Sequence, residues 1–436
     1  MKIVGSGRGG SLDYVTAWFI KAGAYVQGTN AKIGFVSTNS VTQGEQVAQL
    51  WPILFAKHHL EIAFAHRTFA WGSDAKGVAH VHVVIVGLAL AGQEPKDKRL
   101  FTYPNIKGDP TETSHSSISA YLFDASQMSN RHLVVSDRRT PITAGAIPMR
   151  MGSKIVDDGI YCFTEEERRD FLVSEPDAAK FFVPLVGSVE FINGIDRYIL
   201  SLGAATPKEI RAMPHVAARI AAVQQYRQAS RKAKTRELAD YPTRFEVTTI
   251  PTRPFLAIPK VSSERREYLP IGWLTPPTLP SQLVQVMLNA DRYDFAVLTS
   301  CMHMAWLRYI GGRLKSDYQY SIGLVYNAFV WPVADEKARV RIALLAQAVL
   351  DARSAHDGST LADLYDPQAM PDDLRKAHRT LDAAVDRLYR GAAFGNDRER
   401  VEHLFSLYET AVAPLTVVAQ APKRGRPRKK LPPAEI

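Results

Sequence analysis

Over its first 95 residues the chain alternates helix-like and strand-like blocks of apolar positions. Residues 13–25 (DYVTAWFIKAGAY) predict a helix and 32–38 (KIGFVST) a buried strand. Residues 43–57 (QGEQVAQLWPILFAK) predict a second helix, bent at Pro52, and the apolar runs at 60–67 and 78–88 predict two more strands. This alternation is the pattern of an α/β layer and amounts to half of a doubly wound sheet. Between about 93 and 140 the chain becomes polar and turn-rich (EPKDKRLFTYPNIKGDPTETSHSS), which predicts a connector.

A mixed α+β region follows as far as Pro332, and within it residues 216–238 predict one strongly basic helix. Three later segments, RIALLAQAVLDAR, DLRKAHRTLDAAVDRLY and RERVEHLFSLYETAV, repeat apolar residues every three or four positions. That spacing predicts a small helical domain over 336–412. From about Ala419 the chain is rich in Pro, Lys and Arg without periodicity and is expected to be disordered in isolation.

Composition narrows the partners. Lys and Arg number 54 against 44 Asp and Glu, for a net charge of +10, and such a surplus favours a polyanion because phosphate contacts release condensed counterions. The two cysteines, Cys162 and Cys301, form no CxxC pair, which excludes a disulfide framework and a thiolate zinc site. The apolar stretch 81–92 is too short to span a bilayer and no signal peptide is evident, so a cytoplasmic location is expected. His80 and His82 alternate on a predicted strand and His58 and His59 are adjacent, but no carboxylate or cysteine completes a metal set, so no metal is expected. Gly5, Gly7, Gly9 and Gly10 (VGSGRGGS) imitate a phosphate-cradling loop, yet no strand precedes them, and they read as a lead-in to the first helix.

Several blocks in one order carry a resemblance. GSLDYVTAWFIKAGAYV, KIGFVSTNSVTQGEQVAQLWPILF, LEIAFAHRTFAW and VHVVIVGL resemble the second half of the methyltransferase domain in MmeI-like restriction-modification enzymes. GSVEFINGIDRYIL, HMAWLRYIGGRLKSDYQYS and VYNAFVWP resemble that family's target recognition domain, and LADLYDPQAMPDDLRKAHRTLDAAVDRLY with RVEHLFSLYE its C-terminal helical domain. The resemblance implies a partial methyltransferase sheet over 1–95, a connector over 96–140, a recognition domain over 141–335, a helical domain over 336–416 and a basic tail over 417–436. It also implies an enzyme that binds S-adenosylmethionine, flips an adenine out of a specific duplex and methylates its amine. The Asn/Asp-Pro-Pro-Tyr/Phe loop such chemistry uses is missing: the PP pairs, Pro276-Pro277 and Pro432-Pro433, lack the required neighbours. No aromatic or acidic lead into a GxG cofactor loop is found either. The chain thus reads as a truncated frame, or as one member of a split enzyme completed by an upstream polypeptide, and is not expected to bind S-adenosylmethionine alone.

Site candidates follow from chemistry and resemblance together. Phe69 and Trp71, in a turn between two strands, stand where related adenine methyltransferases keep an aromatic against the extruded base; the alternative is an aromatic capping the core. Lys315, Asp317 and Gln319 alternate with Ser316, Tyr318 and Tyr320, so an extended segment would point all three one way. Lys donates to guanine, Asp accepts from the cytosine amine and Gln pairs with adenine, so this face could read base edges, and Lys315 with Asp317 suggests a G·C pair. In the resembling family these positions determine base reading; the plainer alternative is a solvated strand face. Arg313 and the basic helix with Arg227, Arg231, Lys232 and Lys234 are candidates for phosphate contact, or simply a solvated face. Arg424, Gly425, Arg426 and Pro427 (KRGRPRKK) resemble an AT-hook that enters a narrow minor groove; the alternative is a nonspecific basic tail.

These readings leave three functions: the recognition portion of a double-stranded-DNA methyltransferase, a non-catalytic sequence-specific DNA-binding module, and a general nucleic-acid-binding protein driven by charge.

Overall fold

The computed structural model describes residues 12–71 and 81–420. The first layer is a five-stranded sheet in the order β1-β3-β2-β4-β5, formed by β1 (Ile33–Thr38), β2 (Leu60–Trp71), β3 (Val81–Leu90), β4 (Lys98–Thr102) and β5 (Thr111–His115). β2 and β4 are parallel, whereas β3 runs antiparallel to both β1 and β2. One face is covered by α1 (Thr16–Tyr25) and α2 (Glu45–Pro52), which bury Phe19, Ile20, Val47, Leu50 and Trp51 against Ile33, Ile62, Val84, Val86 and Leu88. Trp51 fixes α2 by donating its indole N–H to the Val41 carbonyl at 2.7 Å. After Pro52 the helix gives way to one π turn, Ile53–Lys57, as expected of a proline that removes a ladder hydrogen bond.

β2 runs on to Trp71, past a bulge between His66 and Phe69, so Phe69 and Trp71 lie on the strand itself and not in a turn. The presumed connector contains β4 and β5, which extend the sheet; Leu100 is buried, while the polar edge strand TETSH concealed the pattern.

The mixed region holds β6 (Met149–Met151), β7 (Cys162–Thr164), α3 (Glu165–Ser174), β8 (Phe182–Val186), α4 (Ser188–Asn193), β9 (Arg197–Leu200), α5 (Pro207–Ala212), α6 (Pro214–Gln228) and α7 (Ala233–Glu237). Then come β10 (Phe255–Pro259), β11 (Val261–Ser262), β12 (Gly272–Leu274), β13 (Leu279–Pro280), β14 (Val284–Leu288), α8 (Arg292–Thr299), α9 (Cys301–Ile310), β15 (Gly312–Leu314) and β16 (Asp317–Gln319). They form sheets ordered β12-β10-β14-β6, β13-β8-β9-β7 and β11-β16-β15. The basic helix expected over 216–238 is broken: α6 ends at Gln228 and α7 starts at Ala233.

The helical domain comprises α10 (Glu336–Ser354), α11 (Leu361–Leu364), α12 (Asp372–Tyr389) and α13 (Asp397–Gln420). It shares one core with the first sheet and with α8 and α9; Phe405 of α13 packs against Phe123 at 4.7 Å and Trp306 at 5.5 Å between ring centroids. Inside this core His303 is fully buried, with Nε2 hydrogen-bonded to the Tyr320 hydroxyl at 2.9 Å. Burial pushes its pKa down from 6.5 to about 3. Its neutral form therefore contributes stability that is intact above about pH 6.5 and lost as pH falls toward 3. Urea unfolding should show the stability gap between wild type and His303→Gln narrowing on acidification over that window; a gap independent of pH would refute this.

Candidate nucleic-acid interface

A cleft of about 1180 Å³ separates the first sheet from the mixed region. Its near wall is the loop leaving the carboxyl end of β1, from Thr38 to Gln46, together with Asp13 and His82. Ligands of open α/β sheets lie outside the carboxyl ends of strands, and this loop occupies that place. It is held by side chains: Ser40 donates to Asp13 at 2.8 Å, Gln46 donates to Asp13 at 2.7 Å, and Thr38 and Ser40 share a hydrogen bond. The far wall includes Lys260, Glu264, Gln285, Gly312, Arg313, Lys315 and Gln319.

The two walls touch at one end. Gly44 has φ +69° and donates its N–H to the Ile310 carbonyl at 3.1 Å; a Cβ here would come within 3.0 Å of the Gly312 Cα, so only glycine allows this approach. Arg67 of β2 donates to the Tyr309 hydroxyl at 2.5 Å and lies over its ring at 4.3 Å, and His82 of β3 faces Glu264 at 3.5 Å. Sequence reading missed Arg67, Tyr309 and Glu264, because contacts between residues about 180 to 240 positions apart leave no local pattern.

The segment expected to be extended is a two-residue hairpin. Leu314 pairs with Asp317, Arg313 with Tyr318 and Gly312 with Gln319. Tyr318 and Tyr320 are buried, so Asp317 and Gln319 share the other, partly exposed face of β16, as the alternation predicts. Lys315 does not extend that face. It forms the turn with φ +58°, exposed at the hairpin tip, because a two-residue loop needs a left-handed residue. Lys315 and Gln319 line the cleft, while Asp317 accepts a long hydrogen bond from the Glu264 N–H at 3.4 Å.

The expected phosphate contacts divide sharply. Arg227 is fully buried and donates to five carbonyls, those of Ile155, Val156, Leu238, Tyr241 and Arg244, at 2.9–3.2 Å, which removes it from any DNA surface. Arg231, Lys232 and Lys234 are exposed. Arg313 borders the cleft but is committed internally: its guanidinium stacks on Tyr318 at 4.1 Å and reaches Gln43, Ser316 O and Arg308 O. Burial holds its pKa below the ordinary arginine value.

Three family models match the chain in succession: the MmeI DNA-methyltransferase domain over 2–102, the MmeI target recognition domain over 129–333 and the MmeI C-terminal domain over 333–416. The chain belongs to the MmeI family. It is 40% identical over 403 residues to DNA methyltransferase A of Bacillus subtilis (strain 168), a match that covers 92% of this chain and 44% of that protein. The type IIL restriction-modification enzyme MmeI, solved in complex with DNA, superposes with a TM-score of 0.87 at 41% identity over 94% of this chain and 54% of that one. The chain thus spans about half the length of these relatives.

In this MmeI-type methyltransferase layer, the face away from α1 and α2 carries a row of aromatics. Phe69 stacks on Tyr103 at 4.8 Å and lies 6.1 Å from Trp71, and His66 stacks on Phe101 at 4.1 Å with Nδ1 hydrogen-bonded to the Tyr103 hydroxyl. Trp71 is 47% exposed. The carboxyl end of β2, which carries Phe69 and Trp71, lies on the same side of the sheet as the Thr38–Gln46 loop, since β1 and β2 each run antiparallel to β3. Tyr103 was not foreseen, although LFTY at 100–103 is a strand-like signal in an otherwise polar stretch.

β1 leads into a single 3-10 turn, Asn39–Thr42, whose Ser40 side chain is bonded to Thr38 and to Asp13. Among the described residues no cluster of three or more metal-binding side chains occurs, and no helix is long and apolar enough to cross a membrane. The glycine-rich lead-in with Gly5, Gly7, Gly9 and Gly10, His80, and the tail residues Arg424, Gly425, Arg426 and Pro427 lie outside the described residues.

Proposed function

We propose that this chain is the DNA-reading portion of an S-adenosylmethionine-dependent adenine methyltransferase of a restriction-modification system, acting in the cytoplasm. An upstream polypeptide supplies the cofactor and catalytic loops. One observation carries the reading: the cleft brings the Lys315–Gln319 hairpin of the recognition domain against the carboxyl-end loop of a methyltransferase-type sheet. A duplex seated there meets Lys315, Asp317 and Gln319 as base readers, while exposed Arg231, Lys232 and Lys234 and the basic tail, with Arg424 and Arg426, contact phosphates and the minor groove.

Purified chain should enrich a defined motif from a random duplex pool, and it should transfer no methyl group unless the upstream polypeptide is added. Recovery of no motif would end the base-reading assignment, and methylation by the chain alone would end the division of labour. A flipped adenine would stack on Phe69 or Trp71. Phe69→Ala with Trp71→Ala is therefore expected to cut the preference for a mismatched over a paired target adenine about tenfold, read by 2-aminopurine fluorescence. An unchanged preference would place these aromatics in the fold alone.

A further inference from the structure

The cleft is not a basic trough. Its walls include Asp13, Glu45, Asp137 and Glu264 against Lys260, Arg313 and Lys315, with Arg313 tied up internally. Base edges could be read there, but little of the +10 charge surplus is spent on phosphates in it.

That charge gathers in a second groove, of about 680 Å³, between α10 and α12. Lys376, Arg379, Thr380, Ala383 and Arg387 fall at helical spacing on one stripe of α12, and Arg341 of α10 faces them across the groove. Lys376, Arg379, Arg387 and Arg341 are exposed and have no ion-pair partner among the described residues. Among the described residues Asp372 is the one acidic side chain lining the groove. Ala383 keeps the middle of the stripe low, and the distance from Lys376 to Arg387 is about 16 Å along the helix, room for two to three successive phosphates of one strand.

One short segment links the rim of the cleft to the rim of the groove. Glu264 lines the cleft, and Glu267, three residues on, pairs with Arg375 at the groove edge at 2.8 Å. Three residues span at most about 11 Å.

We propose that the α10–α12 groove of the C-terminal domain binds the phosphate backbone of duplex DNA flanking the target site, so that the C-terminal domain supplies sequence-independent affinity to a cleft that supplies selectivity. The proposal rests on the DNA-reading function above. Its chemistry is that of a point-charge ladder: the contacts go to phosphate oxygens, carry no base information and weaken with salt.

The test compares two duplexes with a common centre, one longer by about two helical turns, or about 20 base pairs. Full chain is titrated with each at several salt concentrations, beside Arg379→Glu with Arg387→Glu and the milder Lys376→Ala with Arg379→Ala. Wild type should bind the longer duplex more tightly and with a steeper salt dependence. Charge reversal should abolish that length advantage and flatten the slope on the longer duplex by about 2, leaving the sequence preference intact. The milder pair should have an intermediate effect, with thermal unfolding unchanged in both. Equal slopes and affinities for variant and wild type would overturn the proposal. So would a loss confined to single-stranded RNA or to an acidic polypeptide, or a change in the selected motif. A chain with no sequence preference, whose length advantage still depends on the groove, would refute base reading and uphold the groove.

Discussion

Arg227→Met is expected to lower the stability of the chain by about 3–5 kcal/mol, seen as a fall of about 10 °C in Tm. The guanidinium sits at 0% exposure and satisfies carbonyls from two separate stretches, Ile155–Val156 and Leu238–Arg244. It thus clamps the strand lead-in before β7 and the turn after α7 onto α6. Methionine would fill similar volume but take a donor from five carbonyls; those of Leu238 and Tyr241 keep the N–H of Tyr241 and Arg244, while those of Ile155, Val156 and Arg244 lose the donor that Arg227 supplies, and there the desolvation cost is felt. Arg231→Ala removes a charge from the same basic stretch, but the side chain is exposed, so its stability change should stay within about 0.5 kcal/mol. Under the proposed function its effect appears instead as a salt slope flattened by about 1. An Arg227→Met protein as stable as wild type would show that the five-acceptor clamp carries no weight.

The contrast between these two arginines shows what the sequence could tell. Apolar periodicity predicted α1, β1, the bend at Pro52 and the three long helices of the C-terminal domain, because each buries one stripe or face against a continuous core. Charge alone groups Arg227 with its basic neighbours, yet Val216, Val223 and Arg227 are the buried positions of α6 and share one stripe at seven- and four-residue spacing. Position on the apolar stripe, weighed above residue type, would have marked it as internal. The hairpin at 315–316 had no such signal. Lys-Ser is not a favoured two-residue turn, and the register is set by Tyr318 and Tyr320 entering the core, one of them bonded to a histidine on α9. β4 and β5 were hidden for a related reason: at a sheet edge, backbone pairing needs few apolar residues.

Lys315→Glu combined with Asp317→Arg is expected to change which base pair the chain prefers while leaving its total affinity for random duplex nearly constant. The two side chains stand at the tip and the first strand position of one hairpin, and they offer a donor and an acceptor two residues apart. A lysine satisfies guanine O6 and N7, and an aspartate accepts from the cytosine amine, so the pair suits G·C read in one orientation. Exchanging the charges reverses the order of donor and acceptor and should favour the opposite orientation, with discrimination of about 1–3 kcal/mol per contact, or roughly ten- to a hundredfold. Net charge is unchanged, so the counterion term is constant and any shift reports recognition alone. The turn already places a non-glycine residue at φ +58°, so glutamate adds no backbone strain there beyond that of lysine. Asp317→Asn serves as the companion variant: it keeps an acceptor for the Glu264 N–H and should weaken selectivity without reversing it. Selection from random duplex pools reads all three proteins on one scale. The same motif from wild type and from the double variant would remove this hairpin from base recognition, however well the cleft fits DNA.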